Sequence, residues 1–527
     1  MMTPMHWSRW GDPAHAGPLP EGAAALVDAV FGTTEQPTVP LAEVRLPPPG
    51  LDEPLLDGLR HLVGAEHVLC DHESRVRHTR GKSTPDLLRM RSGDAADAPD
   101  AVVRPAGHDQ VLAVVGWCSR NRVALVPFGG GTSVVGGLAA QRDGFAGVVS
   151  LDLGRLKRLV AVDPESRTAV LEAGLLGPEA EALLGGHGLT VGHAPQSFEY
   201  ASIGGFAATR SSGQASSGYG RFDSLVVGLR VATPLGTLEL GTAPANAAGP
   251  DLRQLVLGSE GAFGVVTSVT VRVRPVPQAR LYDTWRLSSF RAGAEAMRAL
   301  HQAGPAPTVL RLSDETETAV NLARPAEIGA EAAGGCLMVT GFEGTAADVA
   351  RDRALVGDRL RVLGAEPAGE QGGEAWAAGR FHGPYLRDSL LDAGVLVETL
   401  ETATFWSNLH RLHADVKGAL GTVLGADGSP VIVLCHISHA YETGASLYFT
   451  VVAKQAPDPL AQWSAAKAAA SDAMIAAGAT ITHHHAVGRD HKPWFAEEVG
   501  PVGVAMLRGV KQSVDPAGVL NPGVLIP

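Results

Sequence analysis

Between residues 100 and 276 the apolar positions fall in short runs and alternations of strand length, punctuated by glycine and proline. Ala101-Val102-Val103-Arg104-Pro105, Val123-Ala124-Leu125-Val126 and Gly147-Val148-Val149-Ser150-Leu151 each read as strands. Leu159 to Val162 and Thr168 to Glu172 alternate as a hairpin. Leu225 to Thr233 and Thr237 to Gly241 form two strands around Pro234-Leu235-Gly236, and Val265 to Val273 alternates until Pro275. Helices are predicted over Asp52 to Val63, from a capping Asp109 through Cys118, and over Pro178 to Leu184, Asp251 to Leu257 and Trp463 to Ala477. Val502, Met506, Val510 and Val514 recur at i, i+4. They predict a last helix, ended by Asp515-Pro516, whose apolar stripe packs back on the earlier strands. The region before residue 94 is loop-rich, and the dense charge of Asp71 to Lys82 reads as a solvated segment.

The strand 123–126 runs into Pro127-Phe128-Gly129-Gly130-Gly131-Thr132-Ser133. Glycines at a strand end permit positive φ and close approach of a ligand, and successive N–H groups there form a concave anion site. The run lacks both the Lys-Ser/Thr ending of a P-loop and the spacing of a Rossmann fingerprint. By itself it reads equally well as a surface turn. Two further loops of the same character follow. One extends from Gly192-His193-Ala194-Pro195-Gln196-Ser197-Phe198-Glu199-Tyr200-Ala201-Ser202 to Thr209-Arg210-Ser211-Ser212-Gly213. The other is Gly258-Ser259-Glu260-Gly261-Ala262-Phe263-Gly264. Each lies beside a strand, and the interleaved aromatics do not suit a linker. One extended ligand gripped by all three is the simplest account.

Composition narrows the classes. At 527 residues the chain is too long for one ordinary domain. The apolar share of 45% suits a globular protein, and no uninterrupted apolar run has the length of a membrane span. The net charge of −12 argues against a nucleic-acid binder. Cys70, Cys118, Cys336 and Cys435 are scattered without metal spacing, so free thiols in a reducing compartment are expected. Met1 to Pro18 carries Trp7 and Trp10 but no apolar signal core. The expectation is a bacterial cytoplasmic protein, with peripheral membrane contact and a homodimer left open.

The ordered set PFGGGTS, PQSFEYASIGG, TRSSG and GSEGAFG resembles the FAD-binding domain of the vanillyl-alcohol oxidase/p-cresol methylhydroxylase (PCMH-type) flavoproteins. A closer resemblance, to the alkyldihydroxyacetonephosphate synthase family, is carried by Leu310-Arg311-Leu312, Tyr385-Leu386-Arg387-Asp388, Glu398-Thr399-Leu400-Glu401-Thr402, Ala445-Ser446-Leu447-Tyr448-Phe449 and Thr482-His483-His484-His485-Ala486-Val487-Gly488. The resemblance implies FAD used without net redox, with exchange of the acyl chain of acyl-dihydroxyacetone phosphate for a long-chain alcohol. It implies that the residues of the three loops contact FAD: Pro127 to Ser133, Gln196 to Ser202, Thr209 to Ser212 and Gly258 to Gly264. It also implies Tyr448 as acid/base, Arg387 as a substrate ligand, His483, His484 and His485 at the reaction centre, and Arg311 as an active-site arginine. Thr132 stands where many relatives carry a flavin-linking histidine, so the FAD is expected to be non-covalent, with His193 a less favoured attachment point.

The residue chemistry bears on those roles. Arginine offers phosphate a planar fork of permanent charge. Arg311 sits in an apolar strand context and also suits a structural ion pair, while Arg387 is followed by a potentially neutralising Asp388. Histidines in succession on an extended chain alternate faces, so the triplet is not expected to bind a metal. A strand tyrosine such as Tyr448 is commonly structural, and needs a cation nearby, Arg311 or a charged histidine, to act as a base. Tyr441 is the fallback.

The predicted fold is α+β: a PCMH-type two-subdomain FAD-binding domain plus a cap with an antiparallel sheet and helices. An N-terminal region spans 1–93, the FAD domain 94–276, the cap 277–480, and a segment returning to the flavin 481–527. The substrate is expected to be a small or lipid-like phosphorylated molecule. The alternative is a FAD-dependent 2-hydroxyacid dehydrogenase or oxidase of D-lactate or glycolate type. Such enzymes carry a GHxGDGNxH-like stretch, from which Ser438-His439-Ala440-Tyr441-Glu442-Thr443-Gly444 departs. A non-enzymatic flavin module would not need the Arg311, Arg387, Tyr448 and His485 set.

Overall fold

The computed structural model describes residues 4–139, 141–320, 328 and 334–527. Met1–Thr3 of the polar N-terminus and residues 321–327 and 329–333 of the predicted cap lie outside that description.

Two sheets share the first core. In a four-stranded sheet, Ala101–Val103 and Val123–Phe128 run parallel to Gly147–Asp152, with Val68–Leu69 on the edge. Helix His108–Asn121 makes the crossover that a parallel pair requires. Its Val111, Val114, Val115 and Cys118 are fully buried. The N-cap is Gly107, not Asp109, which lies in the first turn where its charge still favours the helix dipole. The second sheet is antiparallel, in the order Leu159–Asp163, Thr168–Glu172, Val265–Arg272, Val226–Thr233, Gly236–Leu240. Leu125 and Val149 of the first sheet share one apolar cluster with Leu171, Val231 and Val269 of the second.

A seven-stranded antiparallel sheet forms the second body, with Val309–Ser313 and Gly444–Lys454 among its inner strands. Helices Phe290–Ala303, Ala346–Val362, Leu409–Leu424 and Pro459–Ala476 contribute buried residues to its core. The chain then returns to the first sheet. Leu125 donates its N–H to Val519 O at 2.8 Å and accepts from the Asn521 N–H at 2.8 Å.

Two expectations are corrected. The Asp71–Lys82 segment is not a solvated stretch, for Arg75, Arg80 and Lys82 are all buried. Arg75 donates to Pro99 O and Pro47 O, and Arg80 pairs with Asp97, partners that no local pattern reveals. The last helix, Lys492–Val514, breaks at Gly500 (φ 68°) before Pro501. Proline removes a helical N–H and disfavours helical geometry in the residue before it. Beyond the break Val510 and Val514 pack near Phe263 and Val524, but Val502 and Met506 are 72% and 69% exposed. No helix among the described residues is long and apolar enough to cross a membrane.

Candidate active site

A chamber of about 430 Å³ lies between the glycine loops and the face of the cap sheet. The first glycine loop leaves the carboxyl end of Val123–Phe128, the usual position for a ligand in a parallel sheet. A Cβ on Gly130 would lie 1.6 Å from Tyr200 O, and Gly131 has φ +70°, so backbone alone fits between these two loops. Ser202 caps the short helix Ile203–Thr209 by accepting the Gly205 N–H. Glu260 accepts the N–H groups of Val487 and Gly488, which joins the third loop to the returning tail. Burial pushes its carboxyl up to about 7.

Of the residues expected on the cofactor, Pro127 to Ser133, Gln196, Ser197, Ala201, Ser202, Thr209, Ser211, Ser212, Glu260, Gly261 and Gly264 border the chamber. Phe198, Glu199, Tyr200, Arg210, Gly258, Ser259, Ala262 and Phe263 do not. Phe198 stacks on Phe381, Tyr200 meets Trp10 edge-on, and Arg210 is spent on Leu257 O, Gln254 O and Asp223. Ala262 and Phe263 are core. These residues shape the loops from behind. The three loops line one continuous space with closely approached backbone and hydroxyl groups, which suits a long dinucleotide.

On the cap side Arg311, Arg387, Tyr448, His484 and His485 all border the chamber. Arg311 lies in strand Val309–Ser313 and pairs with the fully buried Glu317. Burial alone would raise the Glu317 carboxyl, but Arg311 and His436 bring it down to about 2. Arg311 Nη1 is nevertheless buried without a hydrogen bond, as are Arg387 Nε and Nη2, the last lying 3.5 Å from Asp388 Oδ1. Arg387 Nη1 donates to Lys82 O at 2.6 Å. Guanidinium donors left over at a chamber wall are set for an anion.

Tyr448 stacks on His436 with ring centroids 4.8 Å apart, and its hydroxyl lies 3.4 Å from Gln196 Oε1. Burial pushes the phenol up to about 12. The influences that lower it come from Thr399 and Arg387, in place of the expected Arg311 or charged histidine. The neighbouring His436 and His485 are themselves lowered by burial, His485 to about 3.

The histidine triplet is not extended. Its chain bends around Glu401, which accepts the N–H groups of His483, His484 and His485 at 2.6, 3.2 and 2.9 Å. Strand alternation therefore does not apply. His484 and His485 face the chamber, while His483 stands behind them with Nε2 2.6 Å from Tyr441 OH. Ring nitrogens of His439, His483 and His484 fall within 4.8 Å of one another. They are engaged by protein: His439 Nδ1 lies 3.2 Å from Ser212 Oγ, and His483 Nδ1 lies 3.1 Å from His484 Nδ1. His193, the alternative flavin attachment point, packs between Phe206 and Phe222 and is not in the chamber wall. Sequence reasoning missed Trp10, Lys82, Arg380, His436 and His439 in that wall. Trp10 and Lys82 carried no motif, and long-range pairing alone brings them in.

The fold and chamber, with the family matches, define a FAD-dependent enzyme. Residues 99–241 match the "FAD binding domain" family, and residues 276–525 match "FAD linked oxidases, C-terminal domain". Alkyldihydroxyacetonephosphate synthases of Trypanosoma brucei brucei and Dictyostelium discoideum are each 32% identical to the chain, over 92% and 95% of it and 82% and 85% of their own lengths. The chain belongs to the alkyldihydroxyacetonephosphate synthase family. A solved alkyldihydroxyacetonephosphate synthase superposes with a TM-score of 0.83 at 29% identity, covering 98% of both chains. A D-lactate dehydrogenase of Arabidopsis thaliana is more distant, at 25% identity over 88% of this chain and 78% of its own length.

Proposed function

We propose that this protein exchanges the acyl chain of an acyl-dihydroxyacetone phosphate for an alkyl chain, releasing the fatty acid and forming an ether. The observation that carries the reading is that Arg311 and Arg387, each with buried donors that make no hydrogen bond, both border the chamber that Tyr448 lines. Residues 94–276 hold FAD non-covalently, 277–480 supply the substrate groups, and 481–527 bring the histidines to the flavin.

The two guanidiniums take the phosphate and fix the three-carbon unit relative to the glycine loops. FAD, when bound, supplies an electrophilic ring for that unit, with no net change of redox state. The ester C–O bond at C1 breaks and the carboxylate leaves. The alcohol oxygen then bonds to the same carbon and gives up its proton. The reacting carbon loses a proton before the ester bond breaks and regains one once the ether has formed; Tyr448, protonated at neutral pH, would first release its own proton, take the one from carbon and return it at the end. His485, kept neutral by burial, and His484 both border the chamber where the alcohol proton is released, with Glu401 behind them to stabilise charge gained there.

Anaerobic mixing tests this. Palmitoyl-dihydroxyacetone phosphate with hexadecanol is expected to give fatty acid and ether lipid without lasting bleaching of the flavin. Lasting reduction by D-lactate or glycolate, with no fatty acid released, would replace this reading with hydroxyacid oxidation.

A further inference from the structure

Lys82 is 6% exposed and borders the chamber, and three parts of the protein meet on it. Its backbone N–H donates to Ser133 O of the glycine loop at 2.6 Å. Its carbonyl accepts Arg387 Nη1 at 2.6 Å. Its ammonium donates to His6 O at 2.7 Å and Trp7 O at 3.1 Å. Gly81 allows the approach, for a Cβ there would lie 2.0 Å from Ser133 O.

The segment that receives the ammonium, residues 5–11, carries Trp10 into the chamber wall. It is tied down at several points. Arg77 Nη1 donates to Met5 O at 2.9 Å, and Arg9 forms a two-pronged pair with Asp392 at 2.7 and 2.9 Å. The Trp10 N–H donates to Asp388 Oδ2 at 2.6 Å, while Asp388 Oδ1 lies 3.5 Å from Arg387 Nη2. The segment thus shares a carboxylate with the arginine assigned to phosphate. At Gly11 (φ +61°) the Tyr385 hydroxyl occupies the place of a Cβ.

We infer that Lys82 is a positioning residue. Its backbone holds Arg387 in register with the cofactor loop, and its ammonium fastens residues 5–11 as the roof over the substrate. A buried ammonium is costly: burial pulls Lys82 down to about 7, and the bonds to two carbonyls of one segment, together with the nearby Asp388 and Asp86 carboxylates, offset that cost. The inference rests on the proposed phosphate role of Arg387.

The test is Lys82→Met in the FAD-loaded protein, since substitution removes the ammonium and keeps the backbone bonds. The flavin spectrum is expected to persist. Trypsin cleavage after Arg9 is expected to accelerate at least about tenfold, and KM for palmitoyl-dihydroxyacetone phosphate to rise about tenfold with kcat within about twofold, as for loss of one charge-assisted bond. Trp10→Ala combined with Lys82→Met is expected to raise KM less than additively, because both act on one roof. Unchanged Arg9 cleavage and unchanged KM in Lys82→Met overturn the inference. Arg387→Lys separates the two readings. If it leaves KM unchanged the phosphate role fails, while the Arg9 cleavage rate still judges the roof. If Lys82→Met does not fold, hydrogen exchange on the wild-type holoprotein decides. Slow exchange across residues 5–11, slowed further by dihydroxyacetone phosphate, supports the roof, and exchange at the rate of a free terminus overturns it.

Discussion

Glu401 Oε2 accepts the backbone N–H of His483 at 2.6 Å, and Oε1 accepts that of His485 at 2.9 Å. One buried carboxylate therefore sets the bend of the whole triplet. Burial would raise its carboxyl, yet the surrounding histidines hold it well below the usual carboxylate range. In Glu401→Gln the new amide hydrogens face N–H donors. A loss of about 3 kcal/mol is expected, read as a lower urea midpoint, with turnover falling more than the bound flavin. Wild-type turnover in that variant would remove the triplet from the reaction.

Tyr448→Phe leaves the packing on His436 intact and removes one hydroxyl at the chamber wall. FAD content is expected to be unchanged, with turnover down about 100-fold or more, the range for a lost acid/base. Full activity would reduce Tyr448 to a structural strand residue.

Arg311 and Glu317 are a buried pair, with Glu317 fully enclosed. Arg311→Met leaves that carboxylate only His436 and Ser313, and about 3 kcal/mol should be lost. Arg311→Met/Glu317→Gln should recover much of the stability but none of the turnover. Recovery of both would make the arginine purely structural.

Gly130→Ala drives a methyl group into Tyr200 O, so a colourless protein is expected. Gly418→Ala, in helix Leu409–Leu424 with open space around the position, should keep its colour. Acid precipitation of the wild type should release all the yellow flavin. Colour retained in the pellet would show a covalent link and place its site away from Thr132.

Acid should destabilise the fold from about pH 6.5 downward. Burial lowers His193 and His485 to about 3 and His491 to about 4, with His439 and His483 also far down. A depressed histidine contributes stability above its unfolded value near 6.5, which is lost as pH falls toward the folded value. Glu260 and Asp86, raised to about 7 and about 6, act oppositely, but two carboxyls do not offset five imidazoles. The urea midpoint at pH 5.5 should lie below that at pH 7.5. An equal or higher midpoint would mean these rings are solvated.

The sequence by itself settled the strand pattern of the first half and the three small-residue loops. It also placed Arg311 and Tyr448 on strands. These features are local: side-chain alternation, glycine freedom and turn chemistry act within a few residues, so they are written in order along the chain. The burial of Arg75, Arg80 and Lys82 and the bend of His483–His485 were decided only by tertiary structure. Each depends on a partner distant in sequence, as Glu401 is from His485 and Trp7 from Lys82. A charged or polar side chain carries the same local signal whether water or a buried carbonyl satisfies it, and the fold alone determines which it meets.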